Sequence, residues 1–213
     1  MKNLFKFVDF DENPQFEQII LDLQQQNYSV VESFFSLEEV ACLRNSLMEQ
    51  YEANFFKKAA IGNKTNENIV KSIRGDDILW INESQANEAE ALFFEKVNAL
   101  IQYLNRTCFL GILEKEFHYA IYPQGTFYKR HLDTFQNDDR RKLSMVCYLN
   151  TETWKPEYGG ELVLYLNRQG QEVSKVIYPF PGRLVIFESQ ILEHEVLPVN
   201  TKRLSITGWL KTR

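Results

Sequence analysis

The sequence predicts an α+β fold: a double-sheet jelly-roll core backed by helices from the N-terminal half. Three observations carry this. Through the first half of the chain, apolar residues recur every three to four positions, which is helical spacing. From Glu116 the pattern shortens to eight apolar or alternating runs of strand length. Pro123-Gln124-Gly125, Gly159-Gly160, Gly170 and Pro181-Gly182 punctuate those runs with turn chemistry. Helices followed by strands imply an α+β chain, and short punctuated strands imply a jelly roll whose open mouth holds a ligand.

Each element has its own signal. Asn13-Pro14 reads as a cap and first helical residue, with Phe16, Ile19, Ile20 and Leu23 along one face. A short strand is expected over Tyr28 to Val31. Ser36 and Glu39 form a capping box ahead of Val40, Leu43, Leu47 and Tyr51, so a second helix begins there. Ala89, Phe93, Val97, Leu100, Ile101 and Leu104 form a third helical stripe. All three stripes read as core. Between the second and third helices lies a polar connection, Lys57 to Asn68, of the kind that can close over a ligand. It leads through Ile73-Arg74-Gly75-Asp76 into a strand-like run, Ile78 to Ile81. The eight later strands are expected at Phe117 to Tyr122, Phe127 to Asp133, Leu143 to Leu149, Leu162 to Leu166, Val173 to Tyr178, Leu184 to Phe187, Glu195 to Val199 and Leu204 to Leu210.

The bulk numbers bound the possibilities. At 213 residues, with 44% hydrophobic residues, 16 Phe and 10 Tyr, one domain can fill its own core. We divide it into mainly helical support with a lid loop (1–112) and the jelly-roll core (113–213). A net charge of −5 argues against a general nucleic-acid binder, which needs a cationic surface. Cys42, Cys108 and Cys147 are far apart and odd in number, reading as reduced thiols rather than a disulfide frame. The start, Met1 to Asp11, lacks the pattern of a signal peptide, and no stretch is long enough to span a bilayer. A cytoplasmic chain is the expectation, and the oligomeric state is left open.

The chemistry lies in the strand half. His131 and Asp133 are two apart, a spacing that puts both side chains on one face of an extended strand. An isolated His-x-Asp is a weak signal. With His194 as the third ligand, two imidazoles and a carboxylate leave open positions, the arrangement that suits non-haem Fe(II). The third histidine, His118, has no acidic residue two positions on and reads as structural, stacking near the cavity rim. Arg203 follows His194 by nine positions, enough for a strand, a turn and a return into the same cavity. Arg203 and Ser205 share a strand face with Thr207 and Trp209, and a guanidinium beside a hydroxyl suits a carboxylate. Tyr122 and Tyr148 are either pocket phenols or buried core aromatics.

These residues resemble the Fe(II)- and 2-oxoglutarate-dependent oxygenases, in the prolyl hydroxylase branch. His131-Leu132-Asp133, His194 and Arg203 match the iron triad and cosubstrate arginine of that superfamily. Ile73-Arg74-Gly75-Asp76-Asp77-Ile78-Leu79-Trp80-Ile81 is similar to a segment of the hypoxia-sensing prolyl hydroxylases and their bacterial relatives. Tyr122-Pro123, Tyr148-Leu149-Asn150, Gly159-Gly160 and Ser205-Ile206-Thr207-Gly208-Trp209 extend the likeness over roughly residues 70 to 213. Within the branch the chain looks most like bacterial hydroxylases acting on a prolyl residue of elongation factor Tu.

The resemblance implies that His131, Asp133 and His194 hold iron and that Arg203, helped by Tyr148 and Ser205, grips the distal carboxylate of 2-oxoglutarate. It implies Tyr122 near the iron, and Arg74, Asp76, Arg141 and Trp209 facing a prolyl substrate. The reaction implied uses O₂, gives succinate and CO₂, and is supported by ascorbate. Two other readings keep the metal site: an oxygenase of a free amino acid or small peptide, and a sensor that binds metal and 2-oxoglutarate without turnover. A zinc hydrolase is a further reading, but no general base accompanies the triad in sequence.

Overall fold

The computed structural model describes residues 11–59, 73–134 and 140–212. The lid expected over Lys57 to Asn68 falls largely on residues 60–72, outside the described residues. In chain order the elements are α1 (Pro14–Gln26), β1 (Tyr28–Val31), α2 (Leu37–Glu52), β2 (Lys57–Lys58), β3 (Asp77–Ile81) and α3 (Glu88–Cys108). The strands β4 (Glu114–Tyr122), β5 (Tyr128–His131), β6 (Arg141–Tyr148) and β7 (Leu162–Arg168) follow. The chain finishes with β8 (Gln171–Ile177), β9 (Leu184–Glu188), β10 (Glu193–Val196) and β11 (Arg203–Lys211).

The helices begin where short polar side chains can satisfy their free N–H groups. Asn13 Oδ1 accepts from the backbone of Gln15 and Phe16 at the start of α1, and Ser36 and Glu39 close the expected capping box on α2. A second capping box, Asn87 with Glu90, opens α3 and was not anticipated from the sequence.

All strands pair antiparallel, in two sheets: β1-β9-β6-β11-β4-β3-β2 and β5-β10-β7-β8. The α+β expectation holds, whereas the jelly-roll expectation is corrected. Each sheet is open, with β1 and β2 as edges of one and β5 and β8 as edges of the other, and neither closes or curls into a barrel. Period-two patterning identifies strands and their faces but not their partners. Here β1, β2 and β3 from the N-terminal half extend the larger sheet, which the count of eight C-terminal strands had omitted.

The central strands of that larger sheet, β9, β6, β11 and β4, are buried on both faces. Phe117, Tyr119 and Ile121 of β4, Met145 and Cys147 of β6, and Ile206 and Leu210 of β11 pack against the helices with Phe16, Leu43, Phe93 and Leu100. The alternate residues Ala120, Tyr122, Val146 and Tyr148 point the other way, toward Leu162, Leu164 and Val196 of the smaller sheet. Polar residues on this second face therefore project into the space between two sheets. Residues 73–75 help join its walls: Arg74 bridges Tyr128 of β5, while 77–81 pair with β4 of the larger sheet. Gly75 permits the crossing, because a Cβ there would meet Thr126 Cβ at 2.7 Å.

Removal of the α3 cap by Asn87→Ala is expected to destabilise the chain by about 1–2 kcal/mol, since Asn87 also donates to Ser46 Oγ. Thermal unfolding checks this, with an expected fall in Tm of roughly 2–8 °C.

Candidate metal centre

The three expected ligands converge. His131 and His194 are direct cross-strand partners on β5 and β10, with ring centroids 4.2 Å apart. β5 ends at His131, so Asp133 does not lie on the strand as the spacing suggested. It is the departing chain that brings the carboxylate in. Asp133 Oδ1 lies 3.5 Å from His131 Nε2, and Oδ2 lies 3.5 Å from His194 Nε2. One ligand atom from each residue falls within a single 4.8 Å cluster.

The surroundings prepare these atoms for a cation. His131 Nδ1 lies 2.7 Å from the Lys129 carbonyl, and His194 Nδ1 lies 3.2 Å from the Leu192 carbonyl. A carbonyl only accepts, so each Nδ1 carries a proton, and each Nε2 is left facing Asp133 as the ring atom free to take a metal ion. Burial pushes the His194 pKa down to about 4, against the pull of Asp133, so this imidazole is neutral. Burial opposes ionisation of Asp133, but in the acid range where its carboxyl titrates His194 and His131 carry positive charge, and with the Ser144 hydroxyl they hold the carboxyl well below its usual range. Ser144 Oγ donates to Asp133 Oδ2 at 2.7 Å and, its proton committed, receives one from Ser189 Oγ at 2.8 Å. The two serines were missed because their role depends on β6–β9 pairing.

Arg203 enters the same cavity from β11. Its guanidinium carbon sits 4.9 Å from the Tyr122 ring and 5.0 Å from the Tyr148 ring, and Nη1 donates to Ser205 Oγ at 3.3 Å. Arg203 is 1% exposed, and among the described residues no carboxylate pairs with it. Its Nε and the Tyr148 hydroxyl are buried without hydrogen-bond partners. A buried cation beside unused donors fits an anionic ligand. Gly160 makes room for the stem: at φ +72° it lies where a Cβ would meet Arg203 Cδ at 2.8 Å.

The remaining expected residues reach the cavity unevenly. Arg74 lines it, over the Tyr128 ring at 4.7 Å, and is held by Asp76 through Nε–Oδ1 and Nη2–Oδ2 contacts of 2.6 and 2.8 Å. Asp76 is buried and faces Arg74. Trp209 lines the cavity with Arg141 stacked on it at 3.5 Å, and Arg141 also pairs with Glu116 and donates to the Asp133 carbonyl. His118, read from sequence as structural, lies in the cavity wall with both ring nitrogens unpartnered.

Two imidazoles and one carboxylate on one side of a cavity, with a buried guanidinium on its wall, fit Fe(II) together with a dicarboxylate cosubstrate. Residues 117–211 match the 2OG-Fe(II) oxygenase superfamily. A prolyl-4-hydroxylase from Pseudomonas putida is 36% identical, with 93% of this chain and 99% of that one covered at a TM-score of 0.82. A Trichoplax adhaerens prolyl hydroxylase, solved with a hypoxia inducible factor oxygen degradation domain peptide fragment, is 28% identical, covering 92% and 88% of the two chains at a TM-score of 0.81. The hypoxia-inducible factor prolyl hydroxylase of Caenorhabditis elegans is 28% identical over 202 residues, 91% of this chain, which spans 28% of that relative's length.

Two outcomes follow from the site. Ser144→Ala is expected to weaken Fe(II) binding by about 10–100-fold, measured by metal titration, because the carboxylate loses the donor that orients it. For the metal-free chain, His118 and His194 have native pKa values of about 3 and about 4, below the ordinary 6.5. Between pH 6.5 and those values the unfolded chain takes up protons that the folded chain does not. Stability is complete above pH 6.5 and falls as pH drops through this window. At pH 5 the loss per histidine is roughly 2 kcal/mol. His118→Phe is expected to flatten the decline in Tm between pH 7 and pH 5, and an unchanged slope would refute it.

Proposed function

The chain belongs to the 2-oxoglutarate- and Fe(II)-dependent oxygenases of the prolyl hydroxylase clan, and on that premise we propose that it hydroxylates C4 of a prolyl residue in a protein, with elongation factor Tu as the candidate substrate. One observation carries the cosubstrate part of this reading: Arg203, buried and without a carboxylate partner, shares a cavity with His131, Asp133 and His194. The peptide bound by the Trichoplax adhaerens relative supports a polypeptide substrate.

In this reading His131 Nε2, His194 Nε2 and one Asp133 oxygen hold Fe(II). Bound there with 2-oxoglutarate and O₂, Fe(II) would supply the oxidative chemistry that couples decarboxylation of 2-oxoglutarate to succinate and CO₂ with hydroxylation of an unactivated C–H bond. Arg203 and the Tyr148 hydroxyl receive the distal carboxylate, and Ser205 holds the guanidinium in place. The Tyr122 phenol, kept neutral by burial, closes the wall beside Arg203. Ser144 and Ser189 fix the Asp133 rotamer. Arg74, anchored by Asp76, and Arg141, stacked on Trp209, form the substrate side of the mouth. Ascorbate supports turnover by keeping iron reduced, and a cytoplasmic setting does the same for the thiols Cys42, Cys108 and Cys147.

The test incubates the purified chain with Fe(II), 2-oxoglutarate, ascorbate and candidate proteins including elongation factor Tu. Mass spectrometry is expected to find one oxygen added to a single proline, with succinate formed alongside. His131→Ala and Asp133→Ala are expected to lose at least two orders of magnitude of both products, each removing a metal ligand. Efficient turnover of free proline with no modified protein would instead favour a small substrate.

A further inference from the structure

The proposed chemistry gives no task to His118, the third histidine of the cavity wall. His118 lies on β4, opposite Trp80 of β3 and Thr207 of β11. Its ring packs against two indoles, with centroids 4.9 Å from Trp80 and 5.6 Å from Trp209, and the indoles lie 6.3 Å from each other, so the three rings form one cluster. It is 1% exposed, and neither ring nitrogen has a hydrogen-bond partner among the described residues. Burial, with Arg74 and Arg141 nearby, pushes its pKa down to about 3. The ring is therefore neutral, with one N–H donor and one lone pair.

A histidine serving only the core would have these groups paired. Leaving a buried polar group without a hydrogen bond is costly, and native interiors rarely retain one. The indole N–H of Trp209 is buried and unpartnered too. The wall also opens outward: Trp80 is 52% exposed and lies over the His118 edge. A cluster of aromatic rings carrying unused N–H donors matches a chain of apolar ring and amide carbonyls. A proline-containing backbone has that composition. The bond preceding proline offers a carbonyl acceptor, while the proline nitrogen has no hydrogen to donate.

We propose that His118 is a substrate-recognition residue whose ring N–H donates to a backbone carbonyl beside the target proline, with Trp80 and Trp209 flanking that contact. The inference rests on the prolyl hydroxylase reading and deepens it: at this position the protein reads backbone, so recognition here is indifferent to the flanking side chains. The indoles exclude water from the contact, which strengthens a single hydrogen bond.

The test uses the iron-loaded enzyme with a pool of capped heptapeptides that share a central proline and have randomised flanks. His118→Phe keeps a flat ring against the indoles and removes both nitrogens. Its apparent KM is expected to rise about tenfold for every member modified by the wild type, with His118→Gln recovering part of the loss. An unchanged KM, or a loss confined to particular flanking sequences, overturns the inference while leaving prolyl hydroxylation intact. If the wild type modifies no member, the prolyl reading fails and this inference falls with it. Imidazole ¹⁵N spectra of the wild type loaded with Zn(II) and 2-oxoglutarate provide a readout that does not depend on the variants. Saturation with the best-modified peptide is expected to shift the His118 N–H signal, and an unmoved signal also overturns the proposal.

Discussion

A permanently charged guanidinium buried between two sheets, with no carboxylate to neutralise it, is the constraint around which this cavity is organised. Arg203 cannot shed its proton, and an isolated charge in an apolar interior is strongly disfavoured. The fold compensates only partly. Tyr122 and Tyr148 present ring faces, Ser205 accepts one hydrogen bond, and Gly160 gives the stem a channel where any Cβ would collide. What remains is a directed need for an anion on the wall of the cavity that holds the metal ligands. Replacing an unpaired buried charge with an apolar side chain commonly relieves a fold. Its presence here makes sense through a ligand rather than through stability.

The metal triad is built on the same architecture. Cross-strand pairing of His131 with His194 fixes two imidazoles at the distance set by a sheet, and backbone carbonyls fix their tautomers. Asp133 is placed by the chain as it leaves β5, then locked by Ser144 and Ser189 from the opposite sheet. The site thus spans both sheets, and residues 73–75 tie their mouth together through the backbone contacts of Ile73 and Arg74 with β5 and of Gly75 with Phe127 just before it. Movement of one sheet relative to the other would spoil the triad.

Much of this was legible in the sequence. Capped amphipathic stripes located α1 and α2, and short apolar or alternating runs bounded by turn residues located every strand from β4 to β11, the central ones reading as continuous apolar runs because both their faces are buried. His131, Asp133, His194 and Arg203 could be picked out because few residue types can hold a metal or a carboxylate. Three things could not be read. Sheet order was hidden, since strand partners are chosen by tertiary packing, so the jelly-roll expectation gave way to two open sheets. The Ser144–Ser189 relay was hidden for the same reason, as its residues are 45 positions apart. His118 looked structural because nothing in its neighbours reveals that its nitrogens lack partners. Only the assembled wall, with Trp80 and Trp209 packed against the ring, shows that.

The central claim is that the uncompensated charge of Arg203 selects a dicarboxylate, and calorimetry on the Zn(II)-loaded chain tests it most directly. The comparison is between 2-oxoglutarate and 2-oxovalerate, which has the same carbon chain without the distal carboxylate, in the wild type and in Arg203→Met. A charge-assisted contact in a buried site predicts a wild-type preference for 2-oxoglutarate of about 10–100-fold, lost in the variant. A preference that survives in Arg203→Met, or no preference in the wild type, would contradict the account.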